Sequence, residues 1–181
     1  AALAGALGAS LSSMVSNLSA NNRGSEKVDE ILNEAADKCQ GIKQKLVKAV
    51  DDDTNAFNAY MDARRMPHKT DEQKDARHKA MQDGLKRAVY VPFDTARLSF
   101  EAIKAAEVVA QNGNPASITD VGVGAQIAYT GVLGGIYNVL INLKDIEDDA
   151  FNDKMREECD NLKKDAYKLL GSILEFVESQ L

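Results

Sequence analysis

Asp53 sits where an ionisable group is costly. It falls in register with Leu46, Val50, Phe57 and Tyr60 on the apolar stripe of a predicted helix. A carboxylate on such a stripe is desolvated, and its pKa rises unless a donor holds it ionised, which suits a proton shuttle. The same position also fits a buried acid bonded to a backbone donor or a lysine. Asp51 and Asp52 do not make a paired-carboxylate site with it, because successive helical residues point about 100° apart. Both are expected to face solvent. Further along, Asn138 and Asn142 stand one turn apart, roughly 6 Å along a helix axis. Two amides so placed can grip one ligand or one another.

Those asparagines end an unusual helix face. Between Gly113 and Ile146, steps of three or four residues align Asp120, Gly124, Ile127, Gly131, Gly134, Asn138 and Asn142. An ordinary core-facing stripe carries Leu, Val and Ile. This one carries glycines that admit a second backbone, with polar groups at both ends. Buried amides and carboxylates need partners, so the face either binds a ligand or packs closely on another helix. Asp120 lies about 33 Å from Asn142 along the axis, out of reach of the same small site within one subunit. An antiparallel two-fold pairing of chains would bring it near Asn138 or Asn142 of a partner.

Other chemistry is sparse. Arg64, Arg65, His68 and Lys69 cluster at a helix end and loop, a place for an anionic tail or a solvated charge cluster. His68 and His78 lack companion ligands, so no metal is expected. There is no glycine-rich phosphate loop after a strand, no nucleophile elbow and no Cys/His dyad. Cys39 and Cys159 are too few for a disulfide framework, and the default setting is a reducing cytoplasm. A net charge of −6 argues against nucleic acid as a partner.

The elements that must position these residues read as helices throughout. With 181 residues, 44% hydrophobic and 28% charged, and only three prolines, the chain fits one soluble all-α domain over residues 1–181. Helices are expected from Ala2 to about Asn17, from Ser25 to about Met66, from Asp71 to Gln111, through the Gly/Asn segment, and from Asp145–Asp149 to Leu181. Asn21-Asn22-Arg23-Gly24 and Gly113-Asn114-Pro115 are the turns, and Thr70 with Gln73 forms a capping box. Pro92 should kink the third helix and leave the Ala88 carbonyl without its usual donor. Val121 to Ile141 has no charge and is long enough to span a bilayer, yet its Gln126, Thr130, Tyr137 and Asn138 favour a central helix of a soluble bundle. The expected architecture is about five long antiparallel helices.

Several segments together resemble the cyclodeaminase/cyclohydrolase family of folate enzymes. They are Val50–Pro67 (VDDDTNAFNAYMDARRMP), Ala88–Ala96 (AVYVPFDTA), Gly113–Ala125 (GNPASITDVGVGA) and Tyr137–Ile146 (YNVLINLKDI), with the ALAGALGASLSSMVSNLS opening. The family pattern D-x-D-[ST]-x-A-F is met by Asp51, Asp53, Thr54, Ala56 and Phe57. Its R-x-P is met by Arg65, Met66 and Pro67, and its N-V-x-I-N by Asn138, Val139, Ile141 and Asn142. The G-N turn leading to an aspartate is met by Gly113, Asn114 and Asp120, with Ser117 and Thr119 a loose fit. Two departures stand out: the chain starts after the Gly-Gly-Gly-Ser turn usual in the family, and a lysine expected at position 68 is His68 followed by Lys69. The resemblance implies a homodimer acting on tetrahydrofolate derivatives, polyglutamylated forms among them, with no cofactor beyond that substrate and a functional link to a formiminotransferase. It implies Asp53 or Asp120 as proton shuttle, Asn138, Asn142 and Asn114 as substrate ligands, and Arg65 and Lys69 at the glutamate tail. The competing expectation is a non-enzymatic helical module that uses the Gly/Asn face to dimerise or to scaffold a partner, and that loses assembly when Gly131 or Gly134 is made Leu.

Overall fold

A computed structural model of the protein describes residues 1–20, 22 and 24–181. Five helices carry the described chain: α1 Ala2–Ser19, α2 Glu26–Arg64, α3 Asp71–Asn112, α4 Ile118–Asn142 and α5 Asp149–Glu178. Two 3₁₀ turns, Pro115–Ser117 and Leu143–Asp145, bracket α4, and no strand occurs among the described residues. Asn21 and Arg23 of the first predicted loop lie outside the described residues; Gly24 there takes φ +70°, the left-handed region glycine allows.

The boundaries follow local chemistry. Thr70 accepts from the Gln73 amide while the Gln73 side chain reaches back to the Thr70 backbone, so the predicted capping box starts α3. Asp148 accepts from the Phe151 amide and starts α5. Asn114 accepts from the Ala116 amide and, through its own N–H, is tied to the Ser19 hydroxyl at 2.7 Å. Pro92 lies inside α3 without ending it.

α3 is the central strut. α1 and α4 both pack on it, α1 also lies between α2 and α4, and α5 covers α3 and α4 from the other side. Residue pairings such as Ser13 with Ala36, Gly8 with Gly124 and Ala96 with Gly135 show that α1 runs antiparallel to α2 and α4, and α3 antiparallel to α4. Glycines set the spacing. A Cβ at Gly131 would come within 2.9 Å of the Gly5 nitrogen, and one at Gly135 within 2.6 Å of the Pro92 carbonyl oxygen. The α1–α3–α4 contact is therefore backbone on backbone, closer than branched side chains permit. Around it sits one continuous core that includes Leu46, Val89, Ile103, Val132, Ile136 and Ile173.

The α2 stripe behaves as predicted only in its first half. Leu32, Ala35, Cys39, Ile42 and Leu46 are buried, but Val50 is 40% and Phe57 59% exposed. The reason is length: α1 begins beside Val50, so the second half of α2 has no α1 neighbour and leans on α3 alone. No helix of the described residues is long and apolar enough to cross a membrane. The Val121–Ile141 segment packs against α1, α3 and α5 and buries Val121, Ala125, Ala128, Val132, Ile136 and Val139.

Candidate functional site

The uncovered half of α2 forms one wall of a cleft, and the C-terminal half of α4 forms the other. A first stretch of about 300 Å³ is lined by the start of α1 with Val50, Asp53, Thr54, Pro92 and Asn138. It continues through Asp53, Thr54 and Asn138 into a second stretch of about 410 Å³, reaching Phe57, Tyr60, Leu85, Ala88, Asn142 and Asp145. Tyr60, Leu85 and Asp145 lead on into a third of about 620 Å³, walled by Arg64, Arg77, His78, Lys144 and Glu147. These are ordinary dimensions for a small-molecule site.

Three of the predicted residues meet here. Asp53 on α2 and Asn138 and Asn142 on α4 share the second stretch. Asp53 is exposed in the single chain, which corrects the expectation that its stripe buries it. Asp51 is exposed as expected, and Asp52 turns away and pairs with Lys48 at 2.6 Å. Asn142 has a firm anchor. Its Nδ2 donates to the Ala88 carbonyl at 2.9 Å, the same carbonyl that Pro92 deprives of a helical donor. A carbonyl left unpaired in a half-buried wall costs about 1–3 kcal/mol, so the amide repairs α3 as well as lining the cleft. Asn138 donates to the Gly134 carbonyl one turn back, at 2.7 Å.

Four predicted site residues lie elsewhere. Asp120 is in the first turn of α4, at the opposite end of the helix from Asn142, and Asn114 caps the 3₁₀ turn before it. Helix length separates them from the cleft, since each residue advances the axis by about 1.5 Å. Arg65 ends α2 exposed, 3.4 Å from Asp62, and Lys69 is exposed in the following loop; neither lines the cleft. The basic side chains that do so are Arg64, Arg77 and Lys144. Arg64 was findable: it continues the series Asp53, Phe57, Tyr60 in steps of four, three and four. Arg77 enters from α3 and Lys144 from the 3₁₀ turn after α4, and no spacing in the sequence announces that.

The Gly/Asn face is used inside the chain. Gly124 and Gly131 receive α1, and a Cβ at Gly134 would meet Ala1 at 3.0 Å. That removes Gly131 as a surface for dimerisation and with it the main support for a non-enzymatic module. A larger cavity of about 640 Å³ lies across α2 between Lys45, Asp52, Phe100 and Leu162, and holds none of the predicted site residues. Its charges are largely spent on each other, Lys48 on Asp52 and Lys38 and Lys104 on Glu101. No group of three or more His, Cys, Asp or Glu suited to a metal ion occurs among the described residues.

Residues 1–161 match the family model described as Formiminotransferase-cyclodeaminase. The chain is 38% identical over 181 residues to a methenyltetrahydrofolate cyclohydrolase of Methylorubrum extorquens, covering 100% of this chain and 87% of that protein. It is 37% identical over 180 residues to the formimidoyltransferase-cyclodeaminase of Sus scrofa, of which it spans 33%. A solved structure, the formiminotetrahydrofolate cyclodeaminase of Thermotoga maritima, superposes with a TM-score of 0.87 at 25% identity over 98% of this chain and 85% of that one.

Proposed function

Because the chain belongs to the formiminotransferase-cyclodeaminase family, we propose that it is an enzyme of folate one-carbon chemistry. Its substrates are tetrahydrofolates carrying a one-carbon unit at N5 or across N5 and N10. The observation that carries this reading is the convergence of Asp53, Asn138 and Asn142 from two helices on one cleft. In the deaminase reaction N10 attacks the formimino carbon on N5. The new N10–C bond closes the ring, the N10 proton passes to the formimino nitrogen, and the bond from that nitrogen to carbon breaks to release ammonia. In the hydrolase reaction water adds to the methenyl carbon, a proton passes to N5, and the N5–C bond breaks to leave the 10-formyl group.

Both reactions pass through a tetrahedral carbon flanked by nitrogens, and neither changes an oxidation state. Proton transfer and positioning are what the protein must supply, with no cofactor beyond the folate. Asp53 is the proton carrier at the open end of the cleft, and Asn138 and Asn142 hydrogen-bond the pterin or the reacting group. Arg64, Arg77 and Lys144 form the basic end that takes the glutamate tail, and Arg65 and Lys69 just beyond would meet further glutamates of a polyglutamylated substrate.

The functional unit in this reading is a homodimer. Leu3, Leu7, Met14 and Leu18 form an exposed apolar stripe along α1, flanked by exposed Val47 and Val50 on α2 and Tyr137 and Ile141 on α4. Leu3 and Val50 also line the first stretch of the cleft. A second copy seated there would shield Asp53 from water and, if antiparallel, bring its own Asp120 toward the cleft. Two free buried thiols suit a reducing cytoplasm, where a formiminotransferase would supply the formimino substrate.

The test is an ultraviolet assay of one preparation with 5-formiminotetrahydrofolate and with 5,10-methenyltetrahydrofolate. Gain of methenyl absorbance with ammonia release marks the deaminase; loss of that absorbance marks the hydrolase. Asp53→Asn should abolish either signal with circular dichroism unchanged, and near-normal rates would remove Asp53 from the mechanism.

A further inference from the structure

Pro92 has no N–H, so α3 cannot satisfy the Ala88 carbonyl from its own backbone. Asn142 does so instead, across from α4. A carbonyl only accepts, so the amide nitrogen of Asn142 must face it; the flipped amide would set two acceptors against each other. Proline in α3 therefore fixes which way an asparagine in α4 points. With one Nδ2 hydrogen held by Ala88, Oδ1, the other arm of the planar amide, keeps its lone pairs for the cleft that Asn142 lines.

The neighbours around this cleft are held in the same sense. Asn138 commits its Nδ2 to the Gly134 carbonyl, and Thr54 donates its hydroxyl proton to the Val50 carbonyl at 3.2 Å. Their oxygens are left as acceptors beside the Asp53 carboxylate. A cleft so lined with lone pairs recognises a ligand by its N–H groups and favours positive charge on them.

The geometry points to Asn142, clamped through Ala88 and Pro92, as a specificity-determining acceptor that selects the protonated amidine of the substrate, an N–C–N unit bearing N–H donors. The inference rests on the reading of this cleft as the folate site. It ranks a formimino group, which keeps N–H donors, above a methenyl bridge, which has none at the reacting carbon.

Benzamidine and benzoate test the polarity of the wall on the unaltered protein: both are planar, one a donor-bearing cation and the other an acceptor-only anion. Calorimetry should show benzamidine binding and displacing folate, with benzoate silent. Asn142→Ala should weaken benzamidine about tenfold or more. Equal binding of the two probes, binding of neither, or an unchanged benzamidine affinity in Asn142→Ala would overturn the inference. A double substitution separates the ligand acceptor from a mere helix clamp. Pro92→Ala returns a backbone donor to Ala88, so it should shrink the Tm loss caused by Asn142→Ala while the affinity loss persists. Recovery of affinity together with Tm would leave Asn142 a clamp alone; if Pro92→Ala does not fold, the two-probe comparison and Asn142→Ala still decide. Failure of the folate assay with the benzamidine preference intact would count against the proposed reaction and not against the polarity of the cleft.

Discussion

At the scale of single residues, position on a helix decides which side chains keep their chemistry. Asp52 and Asp53 are chemically identical neighbours, yet one is spent on Lys48 and the other, in the cleft, makes no ion pair among the described residues. About 100° of helical rotation separates the two fates. The cysteines show the opposite case, side chains removed from chemistry by burial. Burial pushes the Cys39 thiol from 9.0 up to about 11, with Lys38 pulling slightly the other way. Burial likewise lifts Cys159 to about 11, with Asp160 and Glu158 adding to the rise. The thiols stay protonated in the fold at pH values where the unfolded chain already ionises. Stability from this source is full below about pH 9, and it is lost as pH rises toward 11. A thiol-specific colorimetric reagent at pH 8 should find neither cysteine in the native protein and both in denaturant, with Tm falling across that alkaline window. Rapid labelling of the native protein would contradict the burial.

At the scale of elements, the cleft exists because α2 outruns α1. Both are helices by composition and periodicity, but their lengths differ: α1 has 18 residues and α2 has 39. The unmatched half of α2 turns Val50, Asp53, Phe57 and Tyr60 from core positions into a wall. The glycines of α4 then bring α1 and α3 close enough to set the opposite wall. Gly131→Ala should show how tight that seam is, because the new methyl would stand 2.6 Å from the Ser99 hydroxyl and 2.9 Å from the Gly5 nitrogen. The backbone cannot swing aside as a side chain can. A loss of about 1–3 kcal/mol in urea denaturation is expected, the usual cost of overpacking. An unchanged midpoint would mean that α1 slides on α4, and the close contact would lose its structural weight.

At the scale of the whole molecule, Asp53 of α2 lies beside the C-terminal end of α4, and Asp120 stands in the first turn of that helix. Asp53 borders the cleft and Asp120 does not. If a partner's Asp120 completes the cleft, Asp53→Asn and Asp120→Asn should each lack activity alone but complement when mixed. Random reassociation of two such variants leaves about a quarter of the sites with both aspartates intact, given a two-fold dimer. Recovery near that level after mixing, with a dimer by sedimentation, supports sharing of the site between subunits. No recovery, or full activity in Asp120→Asn alone, removes Asp120 from the reaction.

The sequence alone determined the helices, because capping boxes, turn residues and a 3.6-residue periodicity are local. It also determined the family, whose motifs run in order along the chain, and the orphaned Ala88 carbonyl, which follows from Pro92. It placed Asn138 and Asn142 together, since one turn of a helix is a local distance. What it did not contain was the partner of that carbonyl. Asn142 meets Ala88 only when α4 folds back along α3, and no spacing within either helix encodes the meeting. The exposure of Asp53 was hidden for the same reason: an apolar stripe shows which face seeks cover, whereas the length of the neighbouring helix decides how much of it is covered. Arg77 from α3 and Lys144 from the turn after α4 join Arg64 of α2, a convergence that tertiary packing alone decided.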